Sequence, residues 1–239
     1  MLFKNTLKKY FLRFFFSENY LTTLFIRNPI NTWILSIFQY KKYSLKASKI
    51  WEDQSVYQID SYKETSSKGI KKFINYLLEA TNKNDVILDI CCNQGRFLKE
   101  LHHHGYRSLL GVDIMKDAII DLQQSKEYKS GGIHAEINLA QDYLLATENN
   151  SIDYAITVSA TIEQFHPGFN LFKELYRITK KGFIFVLNEN GHDFPRFYRY
   201  LIKANGFKLI SKMKHDNCTL MHAVKTSLKT NRKLIIATY

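Results

Sequence analysis

A chain of 239 residues with 45% hydrophobic and 23% charged residues has the composition of a globular protein with a real core, which excludes a disordered chain. Three prolines and ten glycines argue against a many-turned all-β fold, and three cysteines are too few, and odd in number, for a disulfide framework. The net charge of +12 is uneven: residues 1–50 hold nine Lys/Arg against the single acid Glu18, and such a segment seeks phospholipid, nucleic acid or an acidic partner.

Residues 1–50 are basic and aromatic, without alternating strand and helix. Phe3, Leu7, Tyr10, Phe11 and Phe14 share one face of a helix, with Lys4, Lys8, Lys9 and Arg13 mostly elsewhere. That pattern suits a helix lying on an anionic membrane surface, and equally one that packs on the domain and shows its lysines to water. The second reading is slightly favoured. Arg13 interrupts the "YFLRFFF" stretch and no small-residue cleavage site follows, so a signal peptide is not expected. No apolar run reaches the length that crosses a bilayer. Reduced thiols then point to a cytoplasmic protein, with contact at the inner face of the membrane an option left to residues 1–50.

The rhythm changes near residue 65. Ile70, Phe73, Ile74, Leu77 and Leu78 predict a helix ending near "TNKND". "VILDI" (86–90) is a short continuous apolar run, as in a strand covered on both faces. A helix follows through Phe97, Leu98 and Leu101, then strand "SLLGVDI" (108–114) and a helix through Ala118, Ile119, Ile120 and Leu122. Strands are read at 132–137, 152–159 and 182–188, the last preceded by a helix through Leu171, Phe172, Leu175 and Ile178. A helix over 197–204 and antiparallel strands at 206–213 and 219–227 follow, with "KLIIATY" (233–239) as a further edge. The reading is therefore α/β: a doubly wound, mostly parallel sheet with an antiparallel C-terminal hairpin over residues 51–239, plus a basic N-terminal helical extension over 1–50. Ligands in such sheets bind beyond the carboxyl ends of the strands.

The first of those ends carries "LDICCNQGRFL". A strand-to-helix turn offers unpaired backbone N–H groups to an anion, and glycine lets the ligand approach. Gly95 is present, Asn93 tolerates a left-handed backbone, and Cys91 is small. The second strand ends in Asp113, suited to hold two ribose hydroxyls or to cap the helix entered at Met115. In order and at this spacing the two loops point to an adenosine-type cofactor. His102–His104 cannot converge on one ion from consecutive helical positions and are read as a solvated helix end; Cys91 and Cys92 lack a second pair at zinc spacing, so no metal is expected, and Cys218 falls in a presumed hairpin loop.

Over roughly residues 65–227 the chain resembles the class I S-adenosylmethionine-dependent methyltransferases. "VILDICCNQGRFLKEL…GYRSLLGVDI" is similar to that superfamily's first two motifs, with a "LDIGCGTG" core followed by "GVDIS". "NLAQDYLLATENNSIDYAITVSATIEQFHP" resembles the third and fourth, and "LFKELYRITKKGFIFVLNENG" the helix and strand after them. "SKIWED…Y" and "HDFPRFY" look like the branch that acts on small molecules and saccharides. The resemblance implies a Rossmann-like fold, S-adenosyl-L-methionine as cofactor, and O- or N-methylation of a small-molecule or saccharide acceptor. By position, Asp89 orients the turn and the cofactor's amino group, and Cys91, Asn93 and Gly95 line its methionine part. Asp113 holds the ribose with Ile114 beside the adenine, Asn138 and Leu139 flank the adenine, and Ser159 sits near the cofactor.

Two departures stand out. Cys91 and Asn93 occupy the first two glycine positions, and Gln164 replaces the usual His of an "LEH" phrase, with His166 two residues on. A base is needed only where the acceptor loses a proton as it attacks, and His166 and Glu163 are the candidates, with Glu189 and His192 also at the mouth. Two other classes stay open: an RNA-modifying methyltransferase that uses the basic arm on phosphates, and a non-catalytic binding protein that keeps the fold.

Overall fold

The computed structural model describes residues 68–158, 162, 165, 168–187, 198–215 and 218–226. The basic segment 1–50, Ser159, Glu163, Gln164, His166, Glu189, His192 and the stretch 233–239 lie outside the described residues.

Helix α1 (Lys68–Ala80) buries Phe73, Ile74 and Leu77 on one face and turns Lys71, Lys72 and Asn75 outward, the 3.6-residue stripe of an amphipathic helix. Strand β1 (Ile87–Ile90) is buried at all four positions. Then come α2 (Arg96–His103), β2 (Leu109–Asp113), α3 (Lys116–Gln124), the single turn α4 (Lys126–Lys129), β3 (Ile133–Ile137), α5 (Ala140–Ala146), β4 (Ile152–Val158), α6 (Leu171–Ile178), β5 (Thr179–Leu187), α7 (Tyr198–Ala204), β6 (Phe207–His215) and β7 (Cys218–Lys225).

These strands form one seven-stranded sheet in the order β3-β2-β1-β4-β5-β7-β6. β1 pairs in parallel with β2 and with β4, β2 with β3, and β4 with β5; β7 is antiparallel to both β5 and β6. The mostly parallel Rossmann-like sheet with an antiparallel C-terminal hairpin is therefore present. Its order reverses between β1 and β4, which opens a crevice beyond their carboxyl ends. Each face carries its own core. On one, α5, α6 and α7 bring Leu144, Phe172, Leu175 and Ile202 against Ala155, Phe183 and Phe185; on the other, α1, α2 and α3 bring Leu77, Leu98, Leu101 and Leu122 against Ile87, Leu109 and Ile156.

Three local readings need correction. α6 passes directly into β5 at Thr179, whose hydroxyl donates to the Leu175 carbonyl at 2.7 Å, so that strand starts three residues before 182. Cys218 is the first residue of β7, paired with His215, not a loop residue. His102 is buried, its Nε2 3.0 Å from the Gly131 carbonyl oxygen, and only His103 and His104 form the solvated helix end. Among the described residues no helix is long and apolar enough to cross a membrane.

Beneath α1, His222 of β7 is 4% exposed, with Nδ1 3.0 Å from the Tyr76 hydroxyl and its ring edge-on to Tyr76 and Tyr154. Its Nε2 is buried and makes no hydrogen bond, so a charged imidazolium is disfavoured and burial lowers the pKa to about 4. The unfolded chain, with a His pKa near 6.5, binds more protons between pH 6.5 and 4, so this residue's share of stability is complete above pH 6.5 and is lost as pH falls toward 4. Urea unfolding at pH 7 and pH 5 is expected to show about 2 kcal/mol of loss from this residue. His222→Leu flattens that slope by the same amount, whatever it does to stability at pH 7.

Candidate functional site

The turn after β1 is built from three left-handed residues in alternation: Cys91 at φ +60°, Asn93 at φ +50° and Gly95 at φ +67°. These are the positions read from the sequence as glycine-like. Gly95 has a second reason to lack a side chain, because a Cβ there would lie 2.7 Å from the Cδ atoms of Leu122 on α3. Asn93 serves the turn with its own amide: Oδ1 accepts from the Gln94 N–H at 2.7 Å, the local bond that makes Asn tolerant of this backbone. Cys91 stands exposed on the turn. A non-glycine residue at that φ costs about 1–2 kcal/mol, which the surrounding structure has to offset.

What offsets it is the next strand. The Asn93 N–H donates to Asp113 Oδ2 at 2.7 Å, and the Met115 N–H donates to Asp113 Oδ1 at 2.8 Å. The Asp113 carbonyl accepts from the Asn138 N–H at 3.0 Å, and the Cys92 N–H donates to the Val112 carbonyl at 3.0 Å. Thus the loops after β1, β2 and β3 meet at one residue. On the other side of the crevice, the Thr157 hydroxyl of β4 donates to the Ile90 carbonyl at 2.8 Å. Asp113 is 6% exposed; burial raises its carboxyl pKa, and the N–H groups of Met115, Asn93 and Ile114 pull it back. Oδ2 takes the Asn93 N–H and Oδ1 the Met115 N–H, with the Ile114 N–H also acting on the carboxylate.

Asp89, one position before the end of β1, is different. It is 2% exposed, and its Oδ2 is buried with no hydrogen-bond partner. Burial, and then the negative charge of Asp113, hold its carboxyl well above the usual range, with Arg96 opposing them. A buried carboxyl oxygen without a hydrogen bond favours a ligand that brings a donor to it.

Several contributors escaped the sequence reading. Gln94 is 3% exposed and its Nε2 donates to Asp121 Oδ2 at 2.9 Å, fastening the turn to α3. Gly111 in β2 admits Cys92 and Leu98, whose side-chain atoms lie 2.7 and 2.8 Å from where its Cβ would be; an interior strand glycine was the available signal. Ile114, Asn138 and Leu139 are half-buried at the strand ends, and Leu139 is the N-cap of α5, a helix the sequence reading did not contain. Among the described residues no three His, Cys, Asp or Glu side chains gather to hold a metal ion.

Two substitutions test the backbone account. Cys91→Gly relieves the left-handed cost while adding chain entropy to the unfolded state, for a net gain of up to about 1 kcal/mol in urea unfolding. Gly95→Ala meets both the unfavourable φ and Leu122, and is expected to lose about 2 kcal/mol or more.

Residues 87–182 match a family described as "Methyltransferase domain". No curated protein sequence gives a significant match to the chain. Among solved structures, the magnesium protoporphyrin IX methyltransferase of Synechocystis PCC 6803, with bound S-adenosylmethionine, shares 13% identity at a TM-score of 0.60, covering 77% of this chain and 97% of its own. The 1,6-didemethyltoxoflavin-N1-methyltransferase of Burkholderia thailandensis, with its substrate and S-adenosylhomocysteine bound, shares 13% at 0.58, covering 77% and 88%. The ribosomal protein L11 methylase of Lactobacillus delbrueckii subsp. bulgaricus shares 16% at 0.50, covering 67% and 79%. At such identities the likeness is one of fold. With the family match over residues 87–182, it gives this stretch the fold of a methyltransferase domain.

Proposed function

We propose that the crevice at the ends of β1, β2 and β3 binds S-adenosyl-L-methionine, and that the chain transfers its methyl group to a small-molecule or saccharide oxygen or nitrogen. The observation that carries the reading is the buried, unpartnered Asp89 carboxyl oxygen beside a left-handed turn whose geometry is already fixed by Asp113. The residues present fit the cofactor's chemistry. Asp89 supplies the anion for an ammonium group, the turn through Cys91, Asn93 and Gly95 presents backbone at close range, and Asp113 keeps acceptor capacity for ribose hydroxyls. Ile114, Asn138 and Leu139 offer the half-buried surface an adenine needs, and Ser159, the residue that follows Val158 in the sequence, is the remaining candidate.

Bound there, the cofactor supplies an electrophilic methyl group on a sulfonium, a good leaving group. The protein's work is then chiefly to hold an acceptor in line with it, a contribution worth up to about 7–11 kcal/mol in favourable cases. For a hydroxyl acceptor, His166 or Glu163 takes the proton as the oxygen attacks; an amine that attacks in its neutral form can lose its proton afterwards. Small-molecule acceptors are supported by the "SKIWED" and "HDFPRFY" phrases and by the magnesium protoporphyrin and didemethyltoxoflavin enzymes, which act on such molecules.

Titration calorimetry with S-adenosylmethionine is expected to give one site per chain. Asp89→Asn, which removes the anion without changing the shape, weakens it at least about tenfold, as for a lost charge-assisted contact. Asp113→Ala abolishes it. Wild-type protein that binds neither S-adenosylmethionine nor S-adenosylhomocysteine overturns the proposal.

A further inference from the structure

Two carboxyls serve the turn after β1, and the protein treats them unequally. Asp113 takes the Asn93 N–H on Oδ2 and the Met115 N–H on Oδ1, with the Ile114 N–H also acting on it, so the chain itself stabilises its negative charge. Asp89 is 2% exposed, and no hydrogen-bond donor reaches its buried Oδ2. A buried carboxylate needs donors on its oxygens, whereas a protonated carboxyl carries no charge to desolvate.

The charged and titratable groups around Asp89 come from three elements. β2 brings Asp113, a like charge on the strand where Gly111 pairs with Asp89. α2 brings Arg96, a cation that opposes burial and Asp113 but gives Oδ2 no hydrogen bond. The turn brings the thiols of Cys91 and Cys92; desolvation, then the two carboxyls, pushes both up, so they stay neutral at pH 7. β4, on the other side, sets Ile156 opposite Asp89 and uses the Thr157 hydroxyl on the Ile90 carbonyl. Where two carboxyls interact, the one with the better hydrogen bonds ionises first and the other keeps its proton longer. Here the first is Asp113 and the second is Asp89.

We propose that Asp89 holds a proton in the unliganded chain and releases it to solvent when the cofactor's ammonium group binds. The inference rests on the cofactor reading above and adds to it how the site is regulated by pH. One positive charge replaces another, so the liganded protein binds one proton fewer than the free protein. Affinity for a ligand with an ammonium group therefore rises with pH, and levels off once the free protein has lost the same proton. A ligand without that group leaves the proton in place.

Titration calorimetry of the full chain with S-adenosylhomocysteine at about pH 6, repeated in buffers of different ionisation enthalpy, counts the protons. The expected result is release of about one proton per site, with affinity rising up to about tenfold per pH unit before it levels off. 5′-Methylthioadenosine, which keeps the nucleoside and lacks the amino group, is expected to bind more weakly and to release none. Asp89→Asn is expected to bind S-adenosylhomocysteine with no release and with little dependence on pH, so its gap to the wild type closes as pH falls. Circular dichroism shows whether that variant is folded, and the comparison of the two ligands on the wild type stands without it. Wild-type protein that binds S-adenosylhomocysteine with no proton released, or with uptake, overturns this inference and leaves the cofactor reading intact. Equal release with 5′-methylthioadenosine, or release that persists in folded Asp89→Asn, overturns it as well. A chain that binds no S-adenosylhomocysteine at any pH overturns both.

Discussion

One carboxylate organises this site. Asp113 receives the Asn93 N–H on one oxygen and the Met115 N–H on the other, while its own carbonyl receives the Asn138 N–H. The ends of β1, β2 and β3 therefore converge on a single buried residue. Without it the turn at 91–95, with three left-handed residues of which two are not glycine, would be left with such outside anchors as the Cys92–Val112 and Gln94–Asp121 bonds. Hydrogen bonds to a charged acceptor are stronger than neutral ones, and in a buried setting they are the natural counterweight to local backbone strain.

The packing around the turn follows from that demand. Gly111 clears the space that Cys92 and Leu98 fill, and Gly95 lets Leu122 of α3 close against the backbone. Gln94 reaches Asp121 on α3, and Thr157 of β4 takes the last carbonyl of β1. Side chains thus do here what a glycine-rich loop does by flexibility, and the turn is fixed in advance. Asp113 is satisfied by the protein, but Asp89 is not. The buried Asp89 oxygen without a hydrogen bond is the feature on which the proposed cofactor site rests.

Much of this was legible in the sequence. The short apolar run "VILDI" read as a strand covered on both faces, and the alternation of strands with helices read as a mostly parallel sheet. Asn93 announced a left-handed turn through its side chain; Cys91 did not, since a thiol has no preference for that backbone and is held there by its neighbours. α5 was missed because "AQDYLLA" follows Leu139 at the N-cap, which brings no capping side chain. His102 looked solvated because the Gly131 carbonyl and the Ser130 hydroxyl that receive its ring come from some thirty residues away, the hydroxyl oxygen standing 3.2 Å from Nε2. The buried His222 was hidden for the same reason, its Tyr76 partner being 146 residues distant. Local chemistry could be read; contacts made only by the closed fold could not.

The central claim is that the turn at 91–95 and the Asp113 carboxylate form one cofactor site. Backbone amide resonances of the full chain, followed by NMR during a titration with S-adenosylhomocysteine, test it most directly. The account predicts saturable shifts concentrated on Cys91–Gly95, Asp113–Met115 and Asn138–Leu139. Amides that stay in place at those positions up to millimolar ligand, or that move only elsewhere in the sheet, would contradict it.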